Sequence, residues 1–146
     1  MNIIKNQIIQ FIIMVIIGIL FNPMNILAFR FNDLYLSLTL FYGGLLMASN
    51  MMWSHEIIHF ISMGHFNIYI FIIGLLLSVS ISIFLLRKQF LVNDKQWVKR
   101  MISHHSTALT TSHNIKNKTK NPIIYKLAND IIEVQEKEIN IMKNLI

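Results

Sequence analysis

The sequence predicts an all-α protein, in which three hydrophobic, transmembrane helices precede an antiparallel pair of amphipathic helices. Three observations predict it. The 146 residues are 54% hydrophobic and only 14% charged, a balance that suits a bilayer better than a soluble core. The apolar residues of the carboxy-terminal part recur at helical spacing. Helix-start signals stand at Asn93, with Gln96 three residues on, and at Asn121 followed by Pro122.

The first apolar segment spans about residues 7–29 and contains the pair Asn22-Pro23. Proline lacks an amide hydrogen and crowds the preceding turn, so the helix should kink there or end early. A cleaved signal peptide is the competing reading. The segment lacks a following small-x-small cleavage site and leads into more apolar sequence, so a retained anchor is expected. The second segment, about residues 34–63, gives roughly 45 Å of helix at 1.5 Å per residue, more than a ~30 Å hydrocarbon core needs. The short link from Gly64 to Asn67 makes it the antiparallel partner of a third segment, about residues 68–86. Residues 1–88 are thus read as a membrane domain and residues 89–146 as a second domain.

Charge divides along the same line. Up to residue 86, Lys5 and Arg30 balance Asp33 and Glu56, so the net charge of +6 resides entirely after that point. The basic part has no stripe of exposed aromatics among its cations, so nucleic acid is not an expected partner. Instead, Arg30, Arg87, Lys88, Lys95, Lys99 and Arg100 are expected to share one side and set topology, placing the carboxy-terminal domain on the cytoplasmic side of a multi-pass protein. With no cysteine, disulfides, thiolate metal sites and cysteine nucleophiles are excluded.

In the second domain, helices are expected over about residues 94–114 and 122–145, joined by the polar run after His113. The last helix carries an apolar stripe of Ile124, Leu127, Ile131, Val134, Ile141 and Leu145, expected to face the other helix. Two helices make a thin core, so a homodimer, a higher homo-oligomer or the bilayer surface should complete it. On the inner face of the first helix, Met101, His104 and His105 fall among Val98, Ile102, Ala108 and Leu109. On the last helix Glu138 shares the register of Ile131 and Leu145, with Gln135 and Met142 beside it. Folding the hairpin sets these two groups opposite each other. Thioether, imidazole and carboxylate together suit copper or another transition metal. A plainer arrangement makes Met101 and Met142 ordinary core residues and lets Glu138 bond one histidine; spacing alone does not separate the two.

The strings MISHHSTAL and NPIIYKLANDIIEVQEKEINIMKNL resemble the domain-of-unknown-function family 305, DUF305. The resemblance covers about Asp94 to Ile146 and includes Met101, Ile102, His104, His105, Ala108, Leu127, Ala128, Gln135, Glu138 and Met142. The earlier SLTLFYGGLLM, with LLRKQ before an Asp and an aromatic, is similar to the membrane-anchored branch of that family, although Leu40 stands where that branch tends to have a basic residue. The resemblance implies a helical, ferritin-like half-bundle and a link to copper. Larger members have two such halves, so it also implies pairing of chains. The expected function is binding of copper, or another transition metal, for buffering or handover, with His104, His105, Met101, Glu138 and Met142 as ligands.

Residues His55 to His59 spell HEIIH, the pattern by which zincins hold zinc on one helical face and activate water with the glutamate. No third ligand stands out, so a membrane metalloprotease is the weaker reading. The same histidines belong to a stripe of Met47, Met51, His55, His59 and Met63, every fourth residue, drifting about 40° per step. Thioether and imidazole together favour Cu(I), and His55 and His59 are read as a second metal-binding group. Against this stands a helix that leaves the bilayer near Trp53, so that these histidines simply meet headgroups and water. For the whole chain, the competing class is an assembly protein without metal that dimerises through its hairpin.

Overall fold

The computed structural model describes the backbone from Ile3 and the side chains from Lys5, in each case to Ile146. Among the described residues all regular elements are helical: α1 (Ile3–Leu20), the single turn α2 (Pro23–Ile26), α3 (Leu38–Met63), α4 (Ile68–Ser80), α5 (Asp94–Lys118) and α6 (Pro122–Lys143). A short 3-10 turn, Phe31–Asp33, precedes α3, and a π-helical segment, Ile81–Arg87, prolongs α4. The chain divides into two compact units, Met1–Asn22 with Leu38–Leu91, and Pro23–Ser37 with Val92–Ile146.

In the first unit α3 packs against both α1 and α4. Glycine lets these helices approach closely. A Cβ built on Gly44 would lie 2.9 Å from the Val15 carbonyl oxygen, and one on Gly74 would lie 2.9 Å from the Trp53 nitrogen. Small residues at crossings are how apolar helices gain van der Waals contact when water supplies no driving force. The α3–α4 turn passes through Gly64 at φ +68°, and Asn67 caps α4 by accepting from the amides of Tyr69 and Ile70.

Two stretches, Lys5–Ile26 and Ile68–Arg87, are long and apolar enough to cross a membrane. The expectation of three such segments is corrected here. At 26 residues α3 has the length, but Ser49, Asn50, Ser54, His55, Glu56 and His59 dilute its apolar character below that of the other two. The first segment breaks where Asn22-Pro23 was expected to kink or end it: α1 stops at Leu20, and the chain from Pro23 belongs to the second unit. Residues 34–37, expected to open the second hydrophobic helix, are non-helical and belong to that unit as well.

The second unit is built on α5 and α6. Lys116 Nζ donates to Asn129 Oδ1 near the connecting turn, and His105 meets Glu138 farther along, so the two helices run antiparallel. Asn93 Oδ1 accepts from the Gln96 amide to open α5, and Asn121 Oδ1 accepts from Ile123 and Ile124, with Pro122 in the first turn of α6. The expected polar loop shrinks to Thr119–Asn121, because α5 continues to Lys118. Val98, Ile102, Leu109, Ile139 and Met142 form the core, with Met101, Ile132 and Tyr35 packed against it.

The inner face of α6 is not the stripe the sequence suggested. Ala128, Ile132, Gln135, Ile139 and Met142 turn inward, while Ile124, Leu127, Val134, Ile141 and Leu145 are exposed. Two apolar seams share this helix, and α5 covers the shorter, more mixed one.

A strap, residues 23–37, completes the second unit. Asp33 is 0% exposed and accepts from the Ser106 hydroxyl at 2.7 Å, while Lys143 pairs with its other oxygen. Ser103 donates to the Asp33 carbonyl at 2.8 Å, and the Phe29 amide donates to Ser106 Oγ at 2.8 Å. Farther along the strap, the Phe29 ring stacks on His113 at 4.8 Å and Arg30 pairs with Glu136. Burying a carboxylate costs several kcal/mol unless it is paired and hydrogen-bonded, so this node is stable only as a whole. Asp33→Ala should lower the unfolding free energy by about 2 kcal/mol, and Ser106→Ala by about 1 kcal/mol. Denaturant unfolding of the full chain in detergent, followed by circular dichroism, measures both; unchanged midpoints would dissolve the node as a stabilising element.

Candidate functional site

Met101 and His105 stand one turn apart on α5, as Glu138 and Met142 do on α6, so each pair projects on one face. The four side chains line one pocket of about 390 Å³ together with Trp97 and Ile141. His105 Nδ1 lies 3.0 Å from Glu138 Oε2. At that distance Glu138 is the partner of the imidazole, the arrangement in which the carboxylate bonds one histidine, while Met142 sits in the hairpin core and Met101 packs against it. The imidazole is largely enclosed, whereas the Glu138 side chain keeps 46% of its surface.

Burial is the largest influence on His105 and pushes its pKa down, with His104 acting in the same direction and Glu138 opposing both. A lowered value keeps the imidazole neutral near pH 7, the form that binds metals. For the folded protein, this neutrality contributes stability above about pH 6.5 that is lost as pH falls through the folded value.

Of the five side chains expected from the sequence, four therefore meet. His104 does not join them. It is exposed on the adjacent face of α5, its ring edge-on to that of His105 at 6.0 Å, because neighbouring residues on a helix diverge by about 100°. Gln135 lies on the seam between α5 and α6 outside the pocket lining.

The second group lies in the first unit. The His55 and His59 rings are 5.3 Å apart on α3, and with Glu56 and His65 they line a pocket of about 200 Å³. His65, two residues past the end of α3, lines this pocket from the α3–α4 turn. Glu56 is buried, and its carboxylate accepts from the Asn67 amide at 2.9 Å. The glutamate of HEIIH therefore fastens the α3–α4 turn. Among the described residues, no three His, Cys, Asp or Glu side chains gather closely enough to hold a metal by themselves.

The profile of a family described as a domain of unknown function, DUF305, matches residues 86–146, the segment holding α5 and α6. An uncharacterized protein of Acanthamoeba polyphaga mimivirus is 36% identical over 126 residues, which cover 86% of this chain and 81% of the relative. The chain belongs to the DUF305 family. Because the likeness to the viral relative reaches well beyond residues 86–146, the DUF305 protein shares with it much of the hydrophobic half too. No solved structure matches the chain.

Sequence reasoning about this DUF305 protein overlooked Trp97 and Ile141 as pocket walls, and the pairing of Asp33 with Ser106. The serines at 103, 106 and 112 did carry a signal: they recur at helical spacing along the buried side of α5. Small hydroxyls there mark where another backbone comes close. Replacing Glu138 by Gln removes the group that holds the His105 value up, so the imidazole midpoint should fall further. Nuclear magnetic resonance titration of the His105 ring reads this shift, and an upward movement would contradict the assigned balance.

Proposed function

We propose that the helical hairpin of this DUF305 protein binds copper, exchangeably, at Met101, His105, Glu138 and Met142, and that it does so beside a membrane. The observation that carries the reading is the convergence of two thioethers, a neutral imidazole and a carboxylate on one pocket. Thioethers select Cu(I), imidazole serves either oxidation state, and carboxylate favours the harder Cu(II). The exposure of Glu138 leaves a way in and out, which suits buffering or handover better than a permanently enclosed ion. His104 stays on the neighbouring face, outside that lining. His55 and His59 are a second candidate group.

Lys5–Ile26 and Ile68–Arg87 supply the membrane attachment in this reading. The basic residues from Arg87 to Arg100 favour the cytoplasmic side for the hairpin. Anaerobic copper titration of the full chain in detergent tests the centre. Met101→Leu with Met142→Leu should weaken Cu(I) about tenfold or more, and Glu138→Gln should weaken Cu(II) more than Cu(I). Binding that ignores all three substitutions, or wild-type protein that takes up no copper, would sink the proposal.

The exposed seam of α6 favours a second reading, in which the hairpin is a dimerisation element that would cover Glu138 and Ile141. Ile124, Leu127, Ile131, Val134, Glu138, Ile141 and Leu145 alternate at three- and four-residue spacing, the pattern of a helix–helix seam. An antiparallel second copy would set Asp130 beside Lys137 twice about the two-fold axis. The helix itself carries Lys126, Lys137 and Lys143 against Asp130, Glu133, Glu136 and Glu138, so an anionic lipid surface has little to attract. Val134→Lys should convert a dimer to a monomer in detergent-corrected light scattering while leaving helicity unchanged. A wild-type monomer at all concentrations would end this reading.

A further inference from the structure

α1 runs antiparallel to α3, with Gly18 against Gly44 at one end and Gln7 beside His55 at the other. α4 is antiparallel to α3 as well, so α1 and α4 begin at the same end of the first unit. Between them runs a groove of about 570 Å³, lined by the half-buried Phe11, Met52 and Ile70 and by the exposed Ile12, Ile73 and Leu77. Its lining is almost wholly apolar, and its volume is that of a small-molecule site. Gln7, Asn67 and Ile70 also line the pocket of His55, Glu56, His59 and His65, so the groove continues into it. The joined space has a polar head of about 200 Å³ and an apolar tail. Its depth matches a bilayer. The two candidate spans start at Lys5 and Ile68, level with the polar head. From Ile70 to Leu77 the tail descends roughly 10 Å at 1.5 Å per residue, about a third of a ~30 Å hydrocarbon core. Tyr69, exposed in the first turn of α4, stands where tyrosines mark the headgroup level.

We infer that this space holds one membrane phospholipid with a zwitterionic headgroup, one of its acyl chains lying in the groove. The charges of the head select the class. His59, His65 and the Gln7 amide can donate to phosphate oxygens. Glu56 lies among them, one of its oxygens accepting from the Asn67 amide, and its carboxylate suits an ammonium. A net-negative headgroup would set a second anion beside it. The groove opens sideways past Ile12 and Ile73, so the second acyl chain stays in the bilayer. An apolar helix from a second copy would fill the tail but leave the donors of the head unmatched. This reading gives the α3 histidines a headgroup instead of a metal ion and leaves the hairpin pocket untouched.

The test uses the full chain in detergent, stripped of lipid. Phosphatidylethanolamine or phosphatidylglycerol with the same acyl chains is added back in mixed micelles. Native mass spectrometry counts the bound lipid, and titration gives its affinity. The expected result is one phosphatidylethanolamine per chain, held about tenfold or more tighter than phosphatidylglycerol. His59→Ala with His65→Ala should weaken it about tenfold without changing helicity. Ile12→Trp with Ile73→Trp fills the groove from two exposed positions and should abolish retention while the unfolding midpoint holds. Phosphatidylglycerol bound as tightly as phosphatidylethanolamine overturns the inference. Wild-type protein that retains no lipid, or retention that ignores either pair of substitutions, overturns it as well. A lipid-free dimer that survives Val134→Lys and dissociates with the tryptophans does the same, since a second copy then fills the groove. None of these outcomes bears on copper binding by the hairpin.

Discussion

A carboxylate removed from water organises the second unit. Asp33 has no exposed surface, and its two oxygens are met by the Ser106 hydroxyl and the Lys143 ammonium. Removing either partner leaves charge uncompensated, which is what makes the arrangement specific. Through Ser103 and Ser106 the strap fixes one face of α5; through Lys143 it fixes the end of α6. With these faces taken, Met101 and His105 remain on the side that meets Glu138 and Met142. The candidate centre is thus positioned by a polar node that contains none of its ligands.

The two candidate groups of side chains lie in different surroundings. In the hairpin, a half-exposed carboxylate faces the largely enclosed His105 imidazole at 3.0 Å, beside two thioethers. On α3, His55 and His59 share a pocket with Glu56 and His65, and the Glu56 carboxylate is engaged by the Asn67 amide.

Much of the helical layout could be read from local chemistry. Asn93, Asn121 and Pro122 open their helices because their side chains, or the missing amide, satisfy the first turn. Pro23 broke the first segment for an equally local reason. Periodicity misled where a helix has more than one apolar face. On α6 the longer stripe, with Ile124, Leu127 and Val134, remains outside, and the Ala128–Ile132–Ile139 side is buried. Hydrophobic spacing reports that a face wants covering; it does not report by what. His104 failed to join His105 for a geometrical reason, since adjacent helical residues point apart.

The sequence by itself determined the all-helical character, the concentration of charge after residue 86, and the residue types available to a metal. These depend on composition and on contacts within a few positions along the chain. Only the tertiary structure decided that residues 23–37 belong with the hairpin, that Glu56 serves a turn, and that Asp33 is buried against Ser106 and Lys143. Each of those outcomes joins groups far apart in the chain. Their pairing follows from which buried polar atoms must find partners and which helices can approach closely at glycine, and neither is written in local spacing.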